Sequence, residues 1–405
     1  MLGAVLIVMT LALALACGGG GSSSNNPPNT IVTSGPNVQT VSLNSGITGN
    51  YANGIFTTVT VCVPGTATCQ TIDNVLVDTG SIGLRLLSSS VGGEFNLTLP
   101  SQNDSSNNPF AECTQFLDGS FLWGPVRTAD IKISGETASS VPINVVGDPS
   151  FTNIPISCSN GGVNENNVNG FGANGVLGLN VFAQDCGSFC VSGGTPPTGI
   201  YYSCPNTGCV SAFVPLAQQV MNPVPLFATD NNGYIVELPS VSSSGQVSAT
   251  GSLVFGIGTQ SNNALTGATV FPLDSQGLFT SSYKGTGYPF SFVDTGSNGF
   301  FFLDASTTGI PTCSDLQNQF YCPGSTQSVT ATNQSSVNPS IGKNVTFSVA
   351  NTDNLFSSGN VIFNNLAGPN PSSFDWGLPF YLGRNVYEAI EGQSTSGGTG
   401  PFVAY

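Results

Sequence analysis

Two tetrapeptides of one composition, Asp78-Thr79-Gly80-Ser81 and Asp294-Thr295-Gly296-Ser297, carry the groups in this chain best suited to chemistry. Each aspartate closes an apolar run, VLV before Asp78 and SFV before Asp294. A lone carboxylate at the end of a buried strand is costly unless something satisfies or uses it. Two carboxylates brought together cannot both ionise easily, so they share one proton and titrate as a unit. The ionised partner can take a proton from a water molecule as that water attacks a carbonyl carbon. The protonated partner can hydrogen-bond the carbonyl oxygen and stabilise its developing charge. The chain contains no histidine, which excludes Ser-His-Asp and Cys-His catalysis and every His-liganded zinc site. Carboxylates are the main acid–base groups left, and the chemistry they imply needs no cofactor and no metal. Gly80 and Gly296 allow tight turns and leave room for backbone amides to approach the carboxylates. One Asp-Thr-Gly-Ser alone reads as a turn signature; two copies in matched halves ask for more.

The elements that must position these aspartates are strands. GIFTTVTV, the turn PGTAT and CQTIDNVLV read as strand, turn, strand, with Cys62 and Cys69 flanking the turn. FLDGSFLWGPVRTADIKISG reads as a hairpin with its bend near Asp118-Gly119. A strand is expected at 141–147, a Gly/Asn loop at 159–175 leading into GVLGL at 175–179, and a short helix at 213–221. A new strand series starts at 234. Each half repeats one order: strands, Asp-Thr-Gly-Ser, more strands, then an apolar-apolar-Gly element, VLG at 176–178 and DWG at 375–377. An internal duplication explains this order. Charged residues are only 7% of the chain, while Gly numbers 51 and Pro 26, the composition of an all-β protein rich in turns. A length of 405 residues suggests two units, placed here at 51–225 and 226–405. The net charge of −15, with six basic residues, argues against nucleic-acid partners and against basic-patch binding to anionic membranes.

With both copies in context, residues 51–405 resemble a pepsin-like aspartic protease. The carriers are the strand–turn–strand before Asp78, the strand pair GSLVFGIGTQSNNALTGATVFPL, GVLGLN, and FDWGLPFYLGRNVYEAIEG with the closing GPFVAY. The resemblance implies an all-β, two-lobed fold with pseudo-twofold symmetry and few short helices. It implies an endopeptidase with Asp78 and Asp294 as catalytic residues and an extended peptide as substrate, acting as a monomer. It also implies that the Thr79 and Thr295 hydroxyls cross-link the two loops, and that Ser81 and Ser297 bond the outer aspartate oxygens. The chain departs from the family in two places. Phe116 stands where the flap, with Asp118 and Gly119 at its tip, usually carries a tyrosine, Trp123 being the other nearby aromatic; and Asp375 replaces an apolar residue. The rival reading is an inactive relative that holds extended peptides by strand addition. A further alternative is a Ser/Thr/Asn/Gly-rich surface protein unrelated to pepsin. Arg85 has two readings, an ordinary surface ion pair or a binder of a substrate carboxylate.

Residues 1–17, MLGAVLIVMTLALALAC, form an apolar leader too short for a good membrane span. With Cys17 and the tether 18–50, a linker plus a possible first strand, behind it, the segment resembles a bacterial lipoprotein signal. That implies lipidation of Cys17 and an outer-membrane location, with membrane contact only through the lipid. The other ten cysteines, 62, 69, 113, 158, 186, 190, 204, 209, 313 and 322, read as five disulfides in an exported chain. Cys62 with Cys69 and Cys313 with Cys322 are the easiest local pairs. Cys186, Cys190, Cys204 and Cys209 are expected to pair among themselves, with a four-cysteine zinc knuckle as the competing arrangement.

Overall fold

A computed structural model describes residues 29–90, 93–314, 316 and 319–405. The apolar leader and Cys17 lie outside them. Strands hold 43% of the chain and helices 8%, so the class is mostly β, with four short α-helices among the described residues. The sequence alternation is the cause. In Gln327–Gln334, for example, Val329, Ala331 and Asn333 face inward while their neighbours are exposed or half-buried. The 213–221 segment gives only a 3-10 turn at Leu216–Gln218. Pro215 starts it, and no apolar stripe of helical period runs through FVPLAQQVM to extend it.

Two sheets dominate. A 15-stranded sheet takes strands from both halves of the chain, and a seven-stranded sheet comes from the second half alone. The link is the strand Val38–Asn44. It pairs antiparallel with Gly54–Cys62 on one side and with Ala249–Phe255 on the other. The possible first strand within 18–50 is thus Val38–Asn44, and the tether placed there ends before it. From Asn29 the chain is docked, through Asn29 Nδ2 to the Leu238 carbonyl at 2.8 Å and the Val32 amide to Glu237 at 2.6 Å. The sheet crosses the 225/226 boundary drawn from the sequence.

One local arrangement occurs twice. The strand Gly175–Leu179 runs parallel to Cys69–Asp78 and antiparallel to Ile82–Leu87. The strand Asn370–Trp376 runs parallel to Thr286–Val293 and antiparallel to Phe300–Leu303. Each Asp-Thr-Gly-Ser thus sits on the loop between two strands that share one central neighbour. The approach to the first loop, Val75, Val77 and Leu76, is buried on both faces, as a strand covered from two sides must be. Behind the second loop stand Phe300, Phe302, Phe347, Phe374 and Trp376, with Phe300–Phe347 centroids at 4.6 Å and Phe302–Phe374 at 5.4 Å. In the run Phe300-Phe301-Phe302, Phe300 and Phe302 are core and Phe301 is half-buried.

Five disulfides close local loops: Cys62–Cys69, Cys113–Cys158, Cys186–Cys190, Cys204–Cys209 and Cys313–Cys322. The four-cysteine group resolves into two adjacent pairs rather than a zinc knuckle.

Candidate active site

The two Asp-Thr-Gly-Ser loops meet. The Thr79 amide donates to Thr295 Oγ1 at 3.1 Å, and the Thr295 amide donates to Thr79 Oγ1 at 3.2 Å. Thr295 Oγ1 donates on to the Val77 carbonyl at 2.7 Å. Thr79 Oγ1 lies 2.9 Å from the Tyr381 hydroxyl, which donates to Glu388 Oε1 at 3.0 Å. Both threonines are buried, so these bonds are shielded from competing water.

The loops aim both carboxylates at one point. Asp78 Oδ1 accepts the Gly80 amide at 2.8 Å and the Ser81 amide at 3.2 Å, and Oδ2 accepts the Ser81 hydroxyl at 2.5 Å. Asp294 Oδ1 accepts the Gly296 amide at 2.7 Å, and Oδ2 accepts the Ser297 hydroxyl at 2.7 Å. The Gly80 amide also reaches Asp294 Oδ1 at 3.1 Å, so one N–H bridges the two aspartates. A Cβ on Gly80 would fall 2.6 Å from Asp294 Oδ1, and one on Gly296 would fall 2.6 Å from Asp78 Oδ1. Only glycine fits at either place. The Oδ1 atoms are therefore the inner pair and the Oδ2 atoms the outer pair. The Asp294 carboxyl is pushed up to about 8 by burial first, then by the charge of Asp78 and the bond the two carboxyls share. In a desolvated pair of this kind one proton stays until high pH.

Two more acids flank the pair. Glu388 is buried and pushed up to about 8, by burial above all, against the bond from Tyr381 that favours its charge. Asp375 is 4% exposed, and its Oδ2 lies 2.6 Å from the Ser297 hydroxyl. Sequence reasoning marked Asp375 as a departure from an apolar pattern but gave it no role. It missed Glu388, which sits in an ordinary strand text, NVYEA.

The hairpin Phe110–Gln115 and Phe121–Ile133 bends at Phe116–Ser120, as the sequence predicted. The Phe116 amide donates to the Ser120 carbonyl at 2.9 Å, and Asp118 caps the turn by accepting from the Ser120 hydroxyl at 2.7 Å. Phe116 stacks on Phe171 at 6.2 Å in a cluster with Tyr51 and Leu122. Tyr51, absent from sequence reasoning, packs in the same cluster as Phe116. Burial raises its phenol, and the charges of Asp78, Asp294, Glu165 and Asp118 raise it further. Trp123 turns the other way. It is buried against Tyr202, with Nε1 donating to the Phe151 carbonyl at 2.8 Å.

Arg85 is neither a surface pair nor open to a substrate. It is 3% exposed and bonds Glu112 at 2.6 Å and Asp185 at 3.3 Å. Tyr201 donates to Asp185 at 2.7 Å. This buried cluster fixes the strand after Asp78 to the hairpin strand that carries Glu112.

Fold and site define a mostly-β protein with two convergent, loop-borne aspartates. Over residues 33–405 the chain matches a protein family of unknown function, DUF3443, and belongs to it. No curated protein matches it.

Proposed function

We propose that the protein is a pepsin-like aspartic endopeptidase. In this reading the 51–225 and 226–405 segments act as two lobes related by a pseudo-twofold axis. Asp78 and Asp294 share one proton and activate water against a peptide carbonyl. The supporting observation is the single Gly80 amide that serves both inner carboxyl oxygens, because it requires the two acids to lie side by side. The ionised acid deprotonates the attacking water. The protonated acid bonds the carbonyl oxygen as it gains charge, and on collapse the acid that took the water's proton passes it to the leaving amine as the C–N bond breaks. The substrate is a peptide in extended form under the 116–120 hairpin. The leader ending at Cys17 supports an envelope location through a lipid, a location that metabolic labelling with palmitate would test against Cys17→Ser.

The test is turnover of a fluorogenic peptide library from pH 3 to 8, with Asp78→Asn and Asp294→Asn as controls. Each variant should lose about 10³-fold or more while keeping the fold. Peptide binding without turnover, unchanged by Asp78→Asn, would favour the rival binding module, a reading that the missing flap hydroxyl supports.

A further inference from the structure

The Ser297 hydroxyl stands between two carboxyl oxygens, 2.7 Å from Asp294 Oδ2 and 2.6 Å from Asp375 Oδ2. A hydroxyl owns one proton and can donate to only one of them. Two hydrogen bonds across three oxygens need two protons. The second must therefore sit on a carboxyl. If it sat on Asp294 Oδ2, the proton would be lost from the inner edge that faces Asp78. That leaves Asp375. Its other oxygen, Oδ1, is buried and has no hydrogen-bond partner, a place where full carboxylate charge is costly and a neutral acid is tolerated. The charged groups facing it are Asp294 and Asp78, both of the same sign.

We propose that Asp375 is a positioning residue that remains a neutral carboxylic acid, donating to Ser297, which in turn donates to the outer oxygen of Asp294. The site then holds two protons among three carboxyls. One lies between the inner oxygens of Asp78 and Asp294, and one is fixed on Asp375. The donor chain polarises the Ser297 hydroxyl toward Asp294 and keeps the dyad proton on its inner side. Burial and the nearby Asp294 charge hold the Asp375 carboxyl well above the ordinary range, in agreement with the proton count. The proton count stands on geometry; the kinetic consequence rests on the endopeptidase reading.

Carboxyl ¹³C NMR of the full chain, labelled at aspartate, tests the protonation directly. A resonance absent from Asp375→Asn should keep its protonated position well above the ordinary aspartate range. Titration of that resonance near the ordinary aspartate value of about 4 would overturn the proposal. The pH profile of peptide cleavage tests the positioning. Asp375→Asn keeps a donor to Ser297 and should keep the acid limb of kcat/KM. Asp375→Leu lacks it and should move that limb up by roughly half a pH unit. Identical profiles in both variants would contradict the role. A wild type that cleaves nothing at any pH sinks the endopeptidase reading, and the NMR result still decides the proton on Asp375. If Asp375→Leu does not fold, the NMR comparison with Asp375→Asn carries the decision alone.

Discussion

Thr79 and Thr295 exchange hydrogen bonds, each hydroxyl accepting the other's backbone amide at 3.1–3.2 Å. The exchange joins segments more than two hundred residues apart in sequence and fixes the separation of the two aspartates that directly precede these threonines.

Replacing either threonine with valine leaves a buried amide without an acceptor, which costs about 1–3 kcal/mol. Each variant also loses one further bond, Thr79→Val the contact with the Tyr381 hydroxyl and Thr295→Val the bond to the Val77 carbonyl, so the two losses should be similar. Denaturant unfolding of both single variants and the double variant should show non-additive losses. Additive losses would mean that the two loops do not support each other.

Asp294 and Glu388 are both held at about 8 in the folded protein, far above the ordinary carboxyl range. Their protons persist where the unfolded chain has lost its own. Stability from these groups is thus complete below about pH 4 and falls as pH rises toward 8, at roughly 1.4 kcal/mol per unit of raised pKa. Asp104 acts in the opposite sense. The Ser203 hydroxyl, then Asn108, hold it at about 2, so its contribution is lost only in stronger acid. The unfolding midpoint should be higher at pH 5 than at pH 8, and Glu388→Gln should flatten that fall. A midpoint that rises from pH 5 to pH 8 would contradict these protonation states.

Much of this site was legible in the sequence. The paired Asp-Thr-Gly-Ser motifs, the hairpin bend at Asp118-Gly119 and the strand entering Asp78 depend on local signals: alternation, turn residues, apolar runs. Cys62–Cys69 and Cys313–Cys322 were legible for the same reason. Glu388 and Tyr51 were not, since nothing local distinguishes a strand glutamate that will meet Tyr381 from one that will face water. The strand Val38–Asn44 was readable only as a possible first strand within the linker, because its partner strand, Ala249–Phe255, lies two hundred residues away. Arg85 was misjudged because its two acidic partners, Glu112 and Asp185, come from separate segments that only the folded chain brings together.

The Arg85 cluster offers a separate check on the fold around Asp78. Arg85→Met leaves Glu112 and Asp185 buried without a cation, at a cost of about 3–5 kcal/mol. Arg85 lies outside the reacting groups, so folded variant protein at low temperature should retain any peptidase turnover. Full stability in Arg85→Met would show that the two acids are neutral and that the ion pair contributes little.

The Cys113–Cys158 bridge closes a separation of 45 residues and ties the hairpin strand to the helical turn Ile156–Ser159. Cys186–Cys190 closes only four. Loop-closure entropy predicts losses of about 4 and about 2 kcal/mol when each is removed as a Ser pair. Thermal unfolding of the two double variants should rank them in that order, and equal losses would mean that the hairpin is held by its apolar packing instead.

The most direct test of the central claim is the pH dependence of peptide hydrolysis by the purified protein beside Asp294→Asn. Shared-proton chemistry predicts a bell-shaped kcat/KM in the wild type, governed by two apparent values of the Asp78–Asp294 pair, and its collapse in the variant. Hydrolysis that survives Asp294→Asn, or no hydrolysis of any peptide between pH 3 and 8, would contradict it.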